Sequence, residues 1–88
     1  MANFKIINVF SLRDRGDVLI GEILNGEIYS RNIVYIVIDN NLIKSVIRGI
    51  EYIDHVESKL SRIGLIIDPI ALTHKDQLIG QLINVLNE

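Results

Sequence analysis

The fold is decided by the stretch Ile33-Val34-Tyr35-Ile36-Val37-Ile38, an uninterrupted apolar run that ends at the polar triplet Asp39-Asn40-Asn41. Side chains branched at Cβ are stiff about χ1 and suit a pleated sheet better than a helix, so the run predicts a β-strand. Asp and Asn favour turns, and the triplet therefore predicts a turn. A long strand, Leu42 to Ile53, is expected to follow, and its internal Gly49 predicts a bulge or a close backbone approach.

Outward from this run, the chain alternates between short apolar segments and turn signals. Asn25-Gly26 is a strong hairpin signal, because both residues tolerate the left-handed backbone of a type I′ turn. Asp14-Arg15-Gly16 predicts a further turn, and Asp68-Pro69 ends a strand because proline cannot donate to a central ladder. No segment carries a helical apolar stripe of useful length. The polar segment 54–61 is interpreted as a loop or a single helical turn, and segment 71–77 as a polar connection. The other expected strands are Phe4–Leu12, Asp17–Leu24, Ile63–Ile67 and Leu78–Leu86.

The composition supports an all-β fold. The 88 residues include 18 Ile, 10 Leu and 7 Val against 2 Ala, a balance that favours strands. We therefore predict a single domain over residues 1–88, built as a small six- to seven-stranded antiparallel barrel, since closure removes exposed sheet edges. The chain has no cysteine, which excludes disulfides.

Charge and hydropathy exclude several classes of function. The net charge of -2 argues against a generally basic nucleic-acid binder and against electrostatic anchoring to a membrane. No apolar run approaches the roughly 20 residues of a membrane span, and the N-terminal stretch lacks the pattern of a signal peptide. We therefore expect a cytoplasmic protein without membrane association. No phosphate loop of the form G-x-x-x-x-G-K-[ST] is present, so no nucleotide is expected.

The segment Asn8 to Ile23 resembles the start of the second domain of translational GTPases such as elongation factor Tu. In that family a Phe-Ser type pair, here Phe10-Ser11, leads into a Gly-Arg-Gly type turn and then into a strand with an internal Gly, here Gly21. The resemblance implies a Greek-key barrel of the translation-protein type. Two family glycines are replaced, by Asp14 and Arg31, and there is no room for a GTPase domain. Later segments that match in the same order are Asn25-Gly26, Arg48–Tyr52, Arg62–Ile67 and Asp76–Ile83.

The same resemblance implies an RNA-related role. In elongation factors this barrel helps hold the aminoacylated end of transfer RNA, and Glu51 matches a glutamate of that region. Arg13 and Arg15 supply the one local concentration of positive charge, which Asp14 and Asp17 partly neutralise. An RNA- or ribosome-associated accessory domain, with Arg13, Arg15 and Glu51 as candidate RNA-binding residues, is therefore the alternative prediction.

Two apolar faces distinguish this chain from an isolated barrel. Side chains alternate across a strand, and the resemblance places Leu19, Gly21, Ile23, Val34 and Ile36 inside. The alternate positions then face outward, where an isolated barrel should be polar. The outward residues are Val18, Ile20, Ile33, Tyr35 and Val37. We interpret them as an interaction surface for a protein partner or for a second copy; alternatively, the segment 54–61 or 71–77 folds back over them.

No catalytic or metal-binding constellation is recognisable. Asp54-His55-Val56-Glu57 places three candidate ligands together, but the only other histidine is His74, so a solvated loop is the better interpretation. None of the serines sits in a Gly-x-Ser-x-Gly elbow. The sequence therefore predicts a non-catalytic interaction module without metal or cofactor.

Overall fold

A computed structural model describes residues 1–53, 62–69 and 74–87 of the chain. Within these ranges it contains seven strands and one short helix, and every strand pairing is antiparallel, which confirms the all-β prediction. The elements are β1 (Ala2–Leu12), β2 (Gly16–Asn25), β3 (Ile33–Ile38), β4 (Asn41–Val46), β5 (Gly49–Ile53), β6 (Arg62–Ile67), α1 (Lys75–Leu78) and β7 (Leu82–Leu86).

The seven strands form one sheet in the order β4-β3-β7-β1-β2-β6-β5, which curls into a half-barrel. The curl follows from the chain itself, because β4 and β5 lie at opposite ends of this order although only Ile47 and Arg48 separate them. The amide of Ile47 donates to the carbonyl of Asn32 (2.9 Å), whereas the amide of Arg48 donates to the carbonyl of Ile66 (2.7 Å). Ile47 therefore bonds near the end of the sheet that contains β3 and β4, and Arg48 bonds near the end that contains β5 and β6.

The interior of the half-barrel holds the core. Leu19, Val34 and Ile36 are fully buried within one apolar cluster, as the alternation predicted, and Ile23 packs against its margin. Phe4 from β1 and Leu65 from β6 belong to the same cluster. The period-2 assignment of the inner face is therefore confirmed.

The turn after the apolar run is a two-residue connection. Asp39 and Asn40 both have left-handed backbones, with φ of 52° and 64°, and Ile38 pairs directly with Asn41. This is the geometry of a type I′ hairpin, whose twist matches that of the flanking strands. The predicted turn is confirmed, and Asn41 already belongs to β4.

The hairpin predicted at Asn25-Gly26 is wrong. β2 ends at Asn25 but pairs with β1 and β6, whereas β3 pairs with β4 and β7. Gly26 does adopt a left-handed backbone (φ 77°), and a Cβ there would lie 2.8 Å from Cα of Ala2. The dipeptide ends a strand against β1, and the following loop, with Ile28 buried, takes the chain to another part of the sheet.

Two strand boundaries also differ from the predictions. The strand expected over residues 42–53 is interrupted at Ile47 and Arg48 rather than at Gly49, because the chain changes its pairing partner there. The last strand begins at Leu82, since Leu78 lies in α1, where it is fully buried in the core. A four-residue helix is too short to show an apolar stripe. Among the described residues, no helix has the length and apolar character that crossing a bilayer requires.

Candidate interaction surface

The five outward residues predicted as one surface lie on two separate parts of the sheet. Val18 and Ile20 are on β2, whereas Ile33, Tyr35 and Val37 are on β3. β7 and β1 lie between these strands, so the two groups are not neighbours, contrary to the prediction. The error follows from the hairpin assigned to Asn25-Gly26, which would have made β2 and β3 adjacent.

Most of these outward positions are also covered. Val18 and Ile33 belong to no part of the core cluster, yet their exposed fractions are only 2% and 5%. Val18 pairs with Ile66, which is buried as well, and a Cβ at Gly64 would lie only 2.8 Å from Cγ1 of Val18. Ile20 and Tyr35 are half-buried. Of the five predicted residues, two are therefore buried, two are half-buried and one is exposed.

Val37 is the fifth residue, and it belongs to a different exposed feature. Its exposed fraction is 41%, and Leu42 of β4, which pairs with it directly, is 68% exposed. Leu82 of β7 is 65% exposed and lies on the same outer face as Asn84, two residues beyond the last β3–β7 pair, where the Gln81 side chain bonds to Val37. We call Leu42, Val37 and Leu82 the apolar row. It crosses three strands on the outer face of the sheet.

The side chain of Gln81 bonds to the backbone of Val37, the central residue of the apolar row. The β3–β7 ladder extends only to Tyr35, and beyond it the Val37 amide donates to Oε1 of Gln81 (2.8 Å). Nε2 of Gln81 donates back to the Val37 carbonyl (3.0 Å). A side-chain amide offers the same donor and acceptor as a peptide group, so Gln81 replaces a missing strand residue. Gln81 was not predicted from the sequence, because an isolated Gln carries no signal of such a role.

A second glutamine ties the β3–β4 hairpin to the helix. The Asp39 amide donates to Oε1 of Gln77 (2.7 Å), and Nε2 of Gln77 donates to Oδ1 of Asp39 (2.9 Å). Nε2 of Gln81 also donates to the backbone carbonyl of Gln77 (3.0 Å). The hairpin tip and the strand beside it are therefore bonded to one short segment, 77–81, which orders the apolar row.

The candidate RNA-binding residues lie at another part of the molecule. The structure brings Arg15 and Glu51 together, with Nη2 of Arg15 3.5 Å from Oε1 of Glu51, and both side chains are exposed. Arg13 is exposed in the same turn as Arg15, which also carries Asp14. Nearby in the chain, Nε of Arg48 lies 3.3 Å from Oδ1 of Asp68. These carboxylates weaken the positive potential that phosphate recognition requires.

The phenol of Tyr29 has a shifted pKa. The hydroxyl of Tyr29 donates to Oε2 of Glu27, and this hydrogen bond, with the charge of Glu27, raises the pKa of the Tyr29 phenol. Because its pKa is raised, this exposed phenol stays protonated at neutral pH. No group of three or more metal-ligating side chains occurs in the ranges 1–53, 62–69 and 74–87. The candidate ligands Asp54, His55 and Glu57 lie outside the described residues.

Comparisons with protein-family models, with curated proteins and with solved structures give no match to this chain. The resemblance to the barrels of translational GTPases therefore remains a prediction from the sequence.

Proposed function

We propose that this chain is a non-catalytic interaction module that binds a protein partner through the apolar row. The observation that supports the proposal is the exposure of Leu42, Val37 and Leu82 on one face of three neighbouring strands, whereas the outward residues Ile33 and Val18 are buried. Removing one such side chain from water contributes about 1.5–3 kcal/mol when burial is complete. Three adjacent side chains are enough for the centre of a small interface.

The surroundings of the row suit an interface. Tyr35 lies next to Val37 on the same face of β3, flanked across the strands by Lys44 and Asn84. An apolar centre with an aromatic residue and a polar rim is the usual composition of a protein–protein contact. The rim would confer orientation, and the centre would supply most of the free energy.

The hydrogen bonds of Gln81 and Gln77 lower the cost of binding. They order the backbone of Val37 and of the hairpin tip before any partner arrives. Association then spends less free energy on fixing the interface. A preformed row of this kind is compatible with docking of a rigid partner surface.

The alternative role in RNA binding has less support, because Arg15 lies against Glu51 and Arg48 against Asp68. Titration of the chain with transfer RNA tests it. Phosphate contacts make affinity fall steeply with salt, so salt-dependent binding would favour the RNA role over protein docking.

The proposal is tested with a matched pair of variants, Leu82→Lys and Leu24→Lys. Both leucines are exposed, but Leu24 lies near the end of β2, outside the apolar row. Proteins captured from native lysate by the unaltered chain should be lost with Leu82→Lys and retained with Leu24→Lys. A captured protein is then purified and titrated into isotope-labelled chain, and the shifted resonances should map to the row. Equal capture by both variants would contradict the proposal.

A further inference from the structure

The outer edge of β4 has a backbone that faces away from the sheet. β4 ends the strand order and, in the part of the chain that the structure describes, pairs with β3 alone. The amide and carbonyl of Val37 point to Gln81, on the β7 side of β3. Residues opposite each other in an antiparallel pair direct their backbone groups alike, either toward each other or both away. Leu42, which faces Val37, therefore directs its amide and carbonyl away from β3 and out of the sheet edge.

We propose that a second copy of this chain pairs with the β4 edge, in an antiparallel β4–β4 contact whose two-fold axis passes beside Leu42. The inference rests on the proposed function, because it uses the apolar row and identifies what binds beside Leu42, at the β4 end of that row. A two-fold contact lets one self-complementary edge satisfy both copies. It also covers an edge that otherwise templates uncontrolled strand pairing.

The side chains of β4 select the register. An axis beside Leu42 sets the two Leu42 side chains opposite each other and joins the two apolar rows into one continuous row across six positions. An axis beside Lys44 would oppose two like charges, which destabilises a cross-strand pair. An axis beside Ile43 would place Lys44 of one copy against Leu42 of the other and interrupt the row. The register centred on Leu42 is therefore the favoured one.

The charges of the β3–β4 hairpin agree with this register. Over residues 33–46 the hairpin carries one acidic residue, Asp39, and one basic residue, Lys44. In the pairing centred on Leu42, the strand position of Lys44 is opposite Asn40 of the second copy and next to its Asp39. The two lysines then lie four residues, about 14 Å, apart along the strand direction, at ~3.4 Å per residue, so this register does not oppose like charges.

The absence of cysteine from the chain provides a direct test of the register. A hydrogen-bonded antiparallel pair has a Cα–Cα distance of about 5.5 Å, inside the range that a disulfide spans. Under mild oxidation, the Leu42→Cys variant should cross-link to a covalent dimer on a non-reducing gel. The Lys44→Cys variant should not cross-link with itself, but it should do so when mixed with the Asn40→Cys variant. Light scattering of the unaltered chain should show a dimer at high protein concentration.

Leu82→Cys is the matched control, because Leu82 is exposed on the same face but lies two strands away from the edge. The proposal is overturned if Leu42→Cys cross-links no faster than Leu82→Cys, or if Lys44→Cys cross-links with itself in preference.

The two proposals fail separately. Addition of Leu82→Lys to the Leu42→Cys variant should leave cross-linking intact. If the chain cross-links but captures no partner, only the proposed function is contradicted. If it captures a partner through the apolar row but does not cross-link, only the pairing of two copies is contradicted.

Discussion

The outer face of this sheet has two halves that share one pattern and differ in exposure. On β2 and β6, the outward residues Val18 and Ile66 are buried. On β4, β3 and β7, the outward residues Leu42, Val37 and Leu82 remain exposed, although Ile33 at the other end of β3 is buried. Strand alternation assigned the side of the sheet correctly in both halves. It did not determine exposure, which depends on what neighbouring strands contribute at the same position.

The largest expected effect comes from placing one carboxylate at an outward position, because the loss of stability should differ between the buried and the exposed half. Val18→Asp introduces a carboxylate at a buried outward position, and we expect a loss of about 3–5 kcal/mol in the free energy of unfolding. Val37→Asp, at an exposed outward position, should cost less than about 1 kcal/mol. Urea unfolding followed by circular dichroism measures both. Similar losses for the two variants would remove the distinction between the halves.

An intermediate effect concerns the glutamine that orders the exposed half. Gln81→Ala removes the partners of the Val37 amide and carbonyl, and we expect a loss of about 1–2 kcal/mol, since each hydrogen bond contributes roughly 0.5–1.5 kcal/mol. Hydrogen exchange at the Val37 amide should accelerate strongly.

Gln77→Ala is the control for that variant. It removes the contacts with Asp39 and leaves the bonds between Gln81 and Val37 in place. Exchange at the Asp39 amide should then accelerate while that of Val37 stays slow. Unchanged exchange at Val37 in Gln81→Ala would show that the side-chain amide does not replace a strand partner there.

The smallest expected effect lies at the ion pairs near the other half. Glu51→Gln removes the partner of Arg15, and because both side chains are exposed the loss should be at most about 1 kcal/mol. The difference should shrink further in high salt, since screening weakens exposed pairs. Urea unfolding at low and high salt measures it, with Asp68→Asn as the parallel variant for Arg48. A loss well above this bound, or one that persists in high salt, would mean that the pair is not a solvated one.

Local turn chemistry was predicted well, but its consequences for pairing were not. Asn25-Gly26 and Asp39-Asn40 both contain residues suited to left-handed backbones; φ is positive at both Asp39 and Asn40 but only at Gly26 of the other dipeptide. Only Asp39-Asn40 closes a hairpin, because a strand starts immediately after it at Asn41. After Gly26 the next strand begins at Ile33. A turn signal describes which φ values a residue tolerates, whereas the choice of partner strand depends on distant segments.

The candidate interaction surface was likewise predicted only in part. Val37 was predicted from its position in an apolar run, but Leu42 and Leu82 were not, because their significance requires the β4-β3-β7 neighbourhood. The covering of Val18 and Ile33 could not be predicted either. Arg15 and Glu51 were each named as candidates, yet their ion pair joins residues 36 positions apart.

Most strands and their inner faces could be predicted from local sequence, because β-branched residues and a two-residue period act over a few neighbouring positions. The sheet order, the interruption at Ile47 and Arg48, and the exposure of particular outward side chains emerged with the folded chain. Strand pairing and burial depend on residues that are far apart in the sequence. A short-range pattern specifies which side a residue faces, but it contains no information about what meets it there.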